Sequence, residues 1–316
     1  MLCLNLKSTD PFFNLALEEI LLKNRKEEYL ILGINDPCVV IGKHQVAHRE
    51  VNTRFAAEFN IPVIRRISGG GTVFHDMGNL NFSFIMQSEA GKQVDFRRYT
   101  LPVISFLSTL GVDAKFEGKN DLKVDGLKIS GNAEHIYRDR VLHHGTLLYG
   151  TSLEILRNSL RKDRRNYSSR AVESNPSIVI NLKEKVNNIK DIMEFRLKML
   201  SWILANIPGS EIYTIGLKES SEAESLAESK YRTWEWNYAY GPEYHFNNRF
   251  DINGRHHSCN LFVKDGIIWE CKIEGSDQMG LVAKKLIGIR HMPDELLRIF
   301  SENNIILNDD ELFGFF

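Results

Sequence analysis

The sequence predicts an α+β fold, and three observations carry that expectation. Strand-like and helix-like segments mix along the 316 residues without strict βαβ alternation. The composition, 43% hydrophobic and 26% charged, is that of a globular chain with a substantial core, not of a disordered, fibrous or disulfide-stapled one. Neither G-x-x-x-x-G-K-[ST] nor G-x-G-x-x-G occurs in the triple-glycine loop, which removes support for P-loop and dinucleotide folds. The length suits two domains, or one large domain with a small appendage.

Asp10-Pro11 starts a helix as cap and first residue, and Phe13, Leu17, Ile20 and Leu21 then repeat at 3.6-residue spacing. Apolar runs at 29–33 and 38–42, joined through Asn35, Asp36 and Pro37, read as a hairpin-like strand pair. A glycine-rich segment at 66–78 precedes a half-buried strand at 79–85, where Leu80, Phe82 and Phe84 alternate with Asn81 and Ser83. Residues 103–110 read as helix, 124–127 as a turn between extended pieces, and 145–150 as strand. From 186 to 207 a long helix places Ile192, Phe195, Met199, Leu200 and Ile203 on one face, and Pro208-Gly209 ends it. The polar stretch 219–229 fits an exposed helix or a mobile loop. After Gly241-Pro242 a hairpin at Asp265-Gly266 and helices around 278–287 and 293–302 form a small α/β module. The expected division is therefore 1–242 and 243–316.

Forty Lys and Arg against 41 Asp and Glu leave a net charge of −1, so no global field draws the chain to nucleic acid or to an anionic membrane. No apolar run approaches ~18 residues and the first residues lack a signal-peptide pattern. Cys3, Cys38, Cys259 and Cys271 form no C-x-x-C pair, which points to free thiols in a reducing compartment. A cytoplasmic monomer that engages neither membrane nor nucleic acid is the expectation.

Four segments carry chemistry. In RRISGGGTVFHD, residues 65–76, three consecutive glycines let the backbone approach a ligand and turn N–H groups toward an anion. Arg65, Arg66, Ser68, Thr72 and His75 crowd the same loop, which favours ligand contact over a plain turn. In residues 118–133, Asn120-Asp121 offers a metal-capable carboxylate beside an amide, and the return strand carries Lys128 on the same face as Ser130. The small residues of Ser130-Gly131-Asn132-Ala133 would admit a ligand beside that lysine. His143 and His144 fit polar contacts in a cleft equally well as histidines satisfied at a strand start, and neither has an i+4 partner for zinc. The run containing Arg157, Arg161, Lys162, Arg164, Arg165 and Arg170 is a solvated face or a dock for an acidic partner.

In their order and spacing RRISGGGTVFHD, GKNDLKV with LKISGNA, and HHGTLL resemble the lipoate–protein ligase A family, whose close relatives are lipoyltransferases. FFNLALEE at 12–19, PCVVIGKHQ at 37–45, SIVINL at 177–182 and TWEWNYAYG at 233–241 extend the resemblance over most of 1–242, and the tail resembles the accessory domain of the family's longer members. Ile67, Thr72, Asn132 and the segment 164–176 depart from the usual pattern. The resemblance implies a catalytic domain related to biotin ligases and class II aminoacyl-tRNA synthetases. It implies activation of lipoate by ATP to lipoyl-AMP, and transfer to a lysine of lipoyl acceptor domains, in 2-oxoacid dehydrogenase E2 subunits and the glycine cleavage H protein. It assigns Lys128 as catalytic and places the adenylate and lipoyl moieties against Arg66, Ser68, Gly69, Gly70, Gly71, Thr72, Val73, Phe74 and His75. It adds Asn120, Asp121, Ser130, Gly131, Ala133 and His144 to the binding set, with Mg²⁺ near Asp121 and an acceptor docked through Arg157, Arg161, Lys162, Arg164 and Arg165. A lipoyltransferase fed with preformed lipoyl-AMP fits the same motifs. So does a cysteine-independent octanoyl or lipoyl transferase of the same fold.

Overall fold

The computed structural model describes residues 1–88 and 94–316. Its centre is an eight-stranded mixed sheet. In spatial order the strands are Glu211–Tyr213, Leu2–Asn5, Tyr29–Ile34, Asn79–Gln87, Arg140–Leu148, Leu127–Tyr137, Asp121–Val124 and Lys115–Glu117. The first three are parallel and every later pair is antiparallel. Side chains alternate across the sheet as the two-residue strand period requires. Leu30, Leu32, Phe82 and Phe84 pack under Phe96–Thr109 and Ile192–Asn206, whereas Tyr29 and Ile31 pack toward Pro11–Asn24. The polar partners in the alternation, Asn81 and Ser83, face that first helix and not solvent; Ser83 is buried.

Local sequence explains the helix starts. Asp10 accepts from the Phe12 N–H at 2.9 Å, with Pro11 at the first helical position. The helix expected from 186 begins only at Ile192, because the Asp191 carboxylate caps the Glu194 N–H at 2.9 Å and the residues before it form the short turn Leu182–Glu184. The helix expected at 103–110 extends back to Phe96, capped by Asp95. The polar stretch 219–229 falls largely in helix Leu217–Leu226, whose Ala223 packs with the first helix.

Tyr29–Ile34 and Cys38–Ile41 are both strands but not a hairpin. The second joins Val63–Arg65 and Val73–His75 in a separate three-stranded sheet. Their connector is pinned elsewhere: the Asp36 N–H donates to the Thr9 carbonyl at 2.8 Å, and the Asn35 side chain meets Asn14 and His75. Turn-forming residues here carry the chain from one sheet to another.

The tail builds a further sheet from Tyr244–Ile252, Arg255–Lys264 and Ile267–Glu274, backed by Asp277–Leu286, Pro293–Glu302 and Asp309–Phe313. Asp265 and Gly266 both have positive φ, 49° and 68°, as a two-residue hairpin turn demands. Strand Tyr167–Ser168 pairs with the edge of this sheet, and Val46 and Tyr167 enter its apolar core. Among the described residues no helix is long and apolar enough to cross a membrane.

Candidate active site

A cavity of about 740 Å³ lies between the first helix, the small sheet and the face of the large sheet. Its lining runs from Leu6, Leu15, Ile31 and Val40 at one end, past Asn81, Ser83 and His144, to Asp121 and Lys128 at the other. Tyr29–Ile34 and Asp121–Val124 are four strand spacings apart, about 19 Å at ~4.8 Å each. Apolar and ionic chemistry therefore occupy opposite ends of one trough.

The ionic end rests on an irregularity. Opposite Lys128 the register slips between Leu122 and Lys123, so that Leu122 pairs with Ser130 but Lys123 pairs with Lys128. The lysine side chain consequently lies along Gly131, where a Cβ would meet its Cε and Nζ at 3.2 Å, and Lys128 and Ser130 do not share a face. Lys128 Nζ donates to Asp121 Oδ1 at 2.8 Å, with both side chains about one-fifth exposed. The lysine backbone is held on its other side by Ile178 and Ile180, at 2.9 and 3.0 Å. Asn120 and Asn132 exchange side-chain to backbone bonds of 2.5 and 2.9 Å, which fixes the approach of the two strands.

The glycine loop is organised from behind. Arg66 is buried; it donates through Nη2 to the carbonyls of Gly69 and Gly71 at 2.6 and 2.7 Å, and through Nη1 to Val40 at 3.1 Å. Arg65 donates to the carbonyls of Trp236, Gly42, Lys43, Gln45 and Asn237. Burial pushes both guanidinium pKa values down to about 10, so both stay charged at neutral pH. With Arg66 turning these carbonyls inward, the loop can present N–H groups to the cavity. Gly42 is required for this fold-back, since a Cβ there would overlap the Gly70 carbonyl. On the open side Ser174 Oγ accepts the Thr72 N–H at 2.8 Å and donates to the buried Glu50 at 2.5 Å.

Between the two ends runs a relay. Glu18 accepts from Ser83 and faces His144 Nδ1 at 3.0 Å, while His144 Nε2 meets Ser68 Oγ at 2.6 Å. Ser68 Oγ in turn accepts from Arg66 Nε at 2.9 Å. The first helix is thereby coupled to the loop carbonyls through four hydrogen bonds in series. His143 faces Glu134 at 2.9 Å, and burial lowers its pKa. Among the described residues no group of three or more His, Cys, Asp or Glu is placed to hold a metal, and no cysteine lines the cavity. Cys38 is fully buried.

This arrangement can be set beside known proteins. The lipoyl protein ligase A/B catalytic domain matches residues 10–203. The chain belongs to that family. Lipoate–protein ligase 1 of Staphylococcus aureus (strain Mu50 / ATCC 700699) is 36% identical over 304 residues, covering 94% of this chain and 92% of that one. A bi-partite lipoate protein ligase from Thermoplasma acidophilum, analysed with its E2 lipoyl domain, superposes with a TM-score of 0.64 at 28% identity, covering 75% of this chain and 95% of that one. A lipoate-protein ligase A bound with ATP superposes with a TM-score of 0.63 at 28% identity, covering 75% and 97%.

In this lipoyl protein ligase the cavity gathers Arg66, Gly69, Gly70, Gly71, Thr72, Val73, His75, Asn120, Asp121, Lys128, Gly131, Ala133 and His144. Three residues expected to bind stand behind the lining. Ser68 and Ser130 are fully buried, and Phe74 packs with Val39 and Ile41 on the far side of the small sheet because its neighbours Val73 and His75 take the cavity side. Two members of the basic run turn inward: Arg161 donates to the carbonyls of His48 and Val51, and Arg164 to the Ser174 carbonyl and the Glu50 carboxylate. Arg157, Lys162, Arg165 and Arg170 are exposed, Arg165 in a surface pair with Asp163. Sequence reading missed Glu18, Asn35, Ser83, Glu173 and Ser174. Only the polar interruptions of apolar segments, Glu18 in the first helix and Ser83 in its strand, could have signalled them.

Proposed function

We propose that this chain is an ATP-dependent lipoate–protein ligase, which joins lipoate to AMP with release of pyrophosphate and passes the lipoyl group to a lysine of a lipoyl domain. The observation that carries the reading is the trough itself: an apolar end, a glycine loop whose carbonyls are drawn back by Arg66, and Lys128 at the ionic end. In the first step the carboxylate attacks the α-phosphate, a P–O bond forms, and the bond to pyrophosphate breaks. Two unit charges at 4 Å repel by about 4 kcal/mol at an effective dielectric of 20. Lys128 supplies the cation that offsets this repulsion and the charge growing on the phosphate. The apolar end takes the acyl tail, with about 0.8 kcal/mol favouring each buried methylene.

Asp121 fits a Mg²⁺ ion bound mainly through nucleotide phosphates, since a single carboxylate suffices there and its second oxygen is not committed to Lys128. The ion would neutralise charge on the departing pyrophosphate. For the second step the acceptor amine attacks the mixed anhydride already in place, so orientation suffices and no enzyme nucleophile is needed. The absence of a cysteine from the lining, among the described residues, supports this over a thiol-dependent transfer. Residues 243–316 are proposed as an accessory unit beside a catalytic unit of 1–242, supported by a sheet and core that they build except for Tyr167–Ser168 and Val46. Arg157, Lys162 and Arg165 remain the exposed candidates for an acidic acceptor.

The test is pyrophosphate release from ATP and Mg²⁺ by the purified chain, with lipoate and no acceptor. Lipoate-dependent release is expected. No release, but transfer from added lipoyl-AMP, would replace the ligase reading with a lipoyltransferase.

A further inference from the structure

Cys259 and Cys271 share no short motif, yet the tail hairpin makes them neighbours. Strands Arg255–Lys264 and Ile267–Glu274 pair antiparallel, with Cys259 opposite Ile273 and Leu261 opposite Cys271. These four side chains therefore share one face, and the two cysteines are diagonal neighbours on it. Right-handed strand twist closes one diagonal of such a pair. Here the Cys259 thiol donates to the Cys271 sulfur, and that bond together with burial pushes the Cys259 pKa up. The shared face is the one that meets the accessory core, with Cys259 and Leu261 inside it and Cys271 packed at its margin. Solvent reaches the two sulfurs unequally: Cys259 is fully buried, and Cys271 is partly exposed. The remaining cysteines lack both features. Cys3 and Cys38 are fully buried, Cys3 between Ile212 and Leu30 on the neighbouring strands and Cys38 opposite His75.

We propose that Cys259 and Cys271 are a peroxide-sensitive thiol pair that closes to a reversible cross-strand disulfide. The oxidant is hydrogen peroxide, and the open thiol meets it first. The Cys271 sulfur attacks one peroxide oxygen, the O–O bond breaks, and water leaves with sulfenic acid on Cys271. The Cys259 sulfur then attacks that sulfur, the S–O bond breaks, and the hydroxyl departs as a second water with the Cys259 proton. Two thiols are oxidised and one peroxide is reduced to two waters. A buried, high-pKa thiol is a poor target for a dissolved oxidant, but Cys259 needs only to reach a sulfur it already touches. The closed loop runs through the Asp265-Gly266 turn, so the bond ties together the two arms of the hairpin. The pair lies outside the trough, and the inference is independent of the ligase reading.

The whole reduced chain should be treated with hydrogen peroxide, alkylated in denaturant and digested with trypsin, which cuts after Lys264 and so separates the two cysteines. Mass spectrometry should find the Cys259 and Cys271 peptides joined, with alkylatable thiols falling from four to two and both recovered on adding dithiothreitol. In Cys259→Ala, Cys271 should pass on to sulfinic acid. In Cys271→Ser, oxidation of Cys259 should slow by about tenfold or more. Several results overturn the proposal: sulfenic or sulfinic acid on wild-type Cys271 without the joined peptides; a link to Cys3, Cys38 or a second chain; or no thiol loss while free cysteine in the same tube is oxidised. Wild-type rates of Cys259 oxidation in Cys271→Ser overturn it as well. Should either variant not fold, the wild-type peptide map decides by itself.

Discussion

The basic residues on the two sides of the trough carry charge of the same sign and use it in opposite ways. Arg65 and Arg66 are buried and direct nearly every N–H at backbone carbonyls, so Arg66 shapes the glycine loop and Arg65 the 42–45 turn and its contact with 236–237. Lys128 is partly exposed, meets one carboxylate, and keeps donors available to a ligand. A basic residue beside a binding loop is thus not by itself a ligand contact; its partners and burial decide.

The contrast breaks most visibly at Arg65. Arg65→Met should destabilise the chain by about 3–5 kcal/mol in urea unfolding, because it strips partners from several buried carbonyls. A loss under about 1 kcal/mol would mean the 42–45 turn holds itself. Next in size, Lys128→Ala should lower lipoate-dependent pyrophosphate release by about 10²–10³-fold, with the melting temperature nearly unchanged. A comparable fall in stability would place Lys128 with the structural arginines.

The smallest effect concerns a buried histidine outside the trough. His291 is held by Tyr244 at 2.6 Å and the Phe315 carbonyl at 2.8 Å, and burial pushes its pKa down to about 4. An unfolded histidine titrates near 6.5, so below that pH the unfolded chain binds a proton that the native chain refuses until about 4. Stability contributed by the neutral ring is present above pH 6.5 and declines on acidification through this window. The urea-unfolding free energy of His291→Gln should fall less steeply between pH 6 and 5 than that of the wild type, by about 1 kcal/mol per pH unit. Identical slopes would show that other groups govern acid lability.

Much of this protein was legible in order along the chain. The Asp10 cap with Pro11, the Asp-Gly hairpins, the face of Phe195, Met199 and Ile203, and the triple-glycine loop all depend on short-range rules, which neighbouring residues satisfy wherever the segment lies. The motifs also sufficed to expect the family and the lysine. Tertiary structure alone decided which side of each motif meets the cavity. The bulge opposite Lys128 moved it from Ser130 to Gly131, and the pinned connector at Asn35 turned an expected hairpin into a bridge between sheets. Glu18, Ser83 and Ser174 joined the site because residues far apart in sequence compete for the same buried hydrogen bonds. Periodicity specifies the conformation of a segment, but the partner of a buried polar atom depends on which distant segment packs against it.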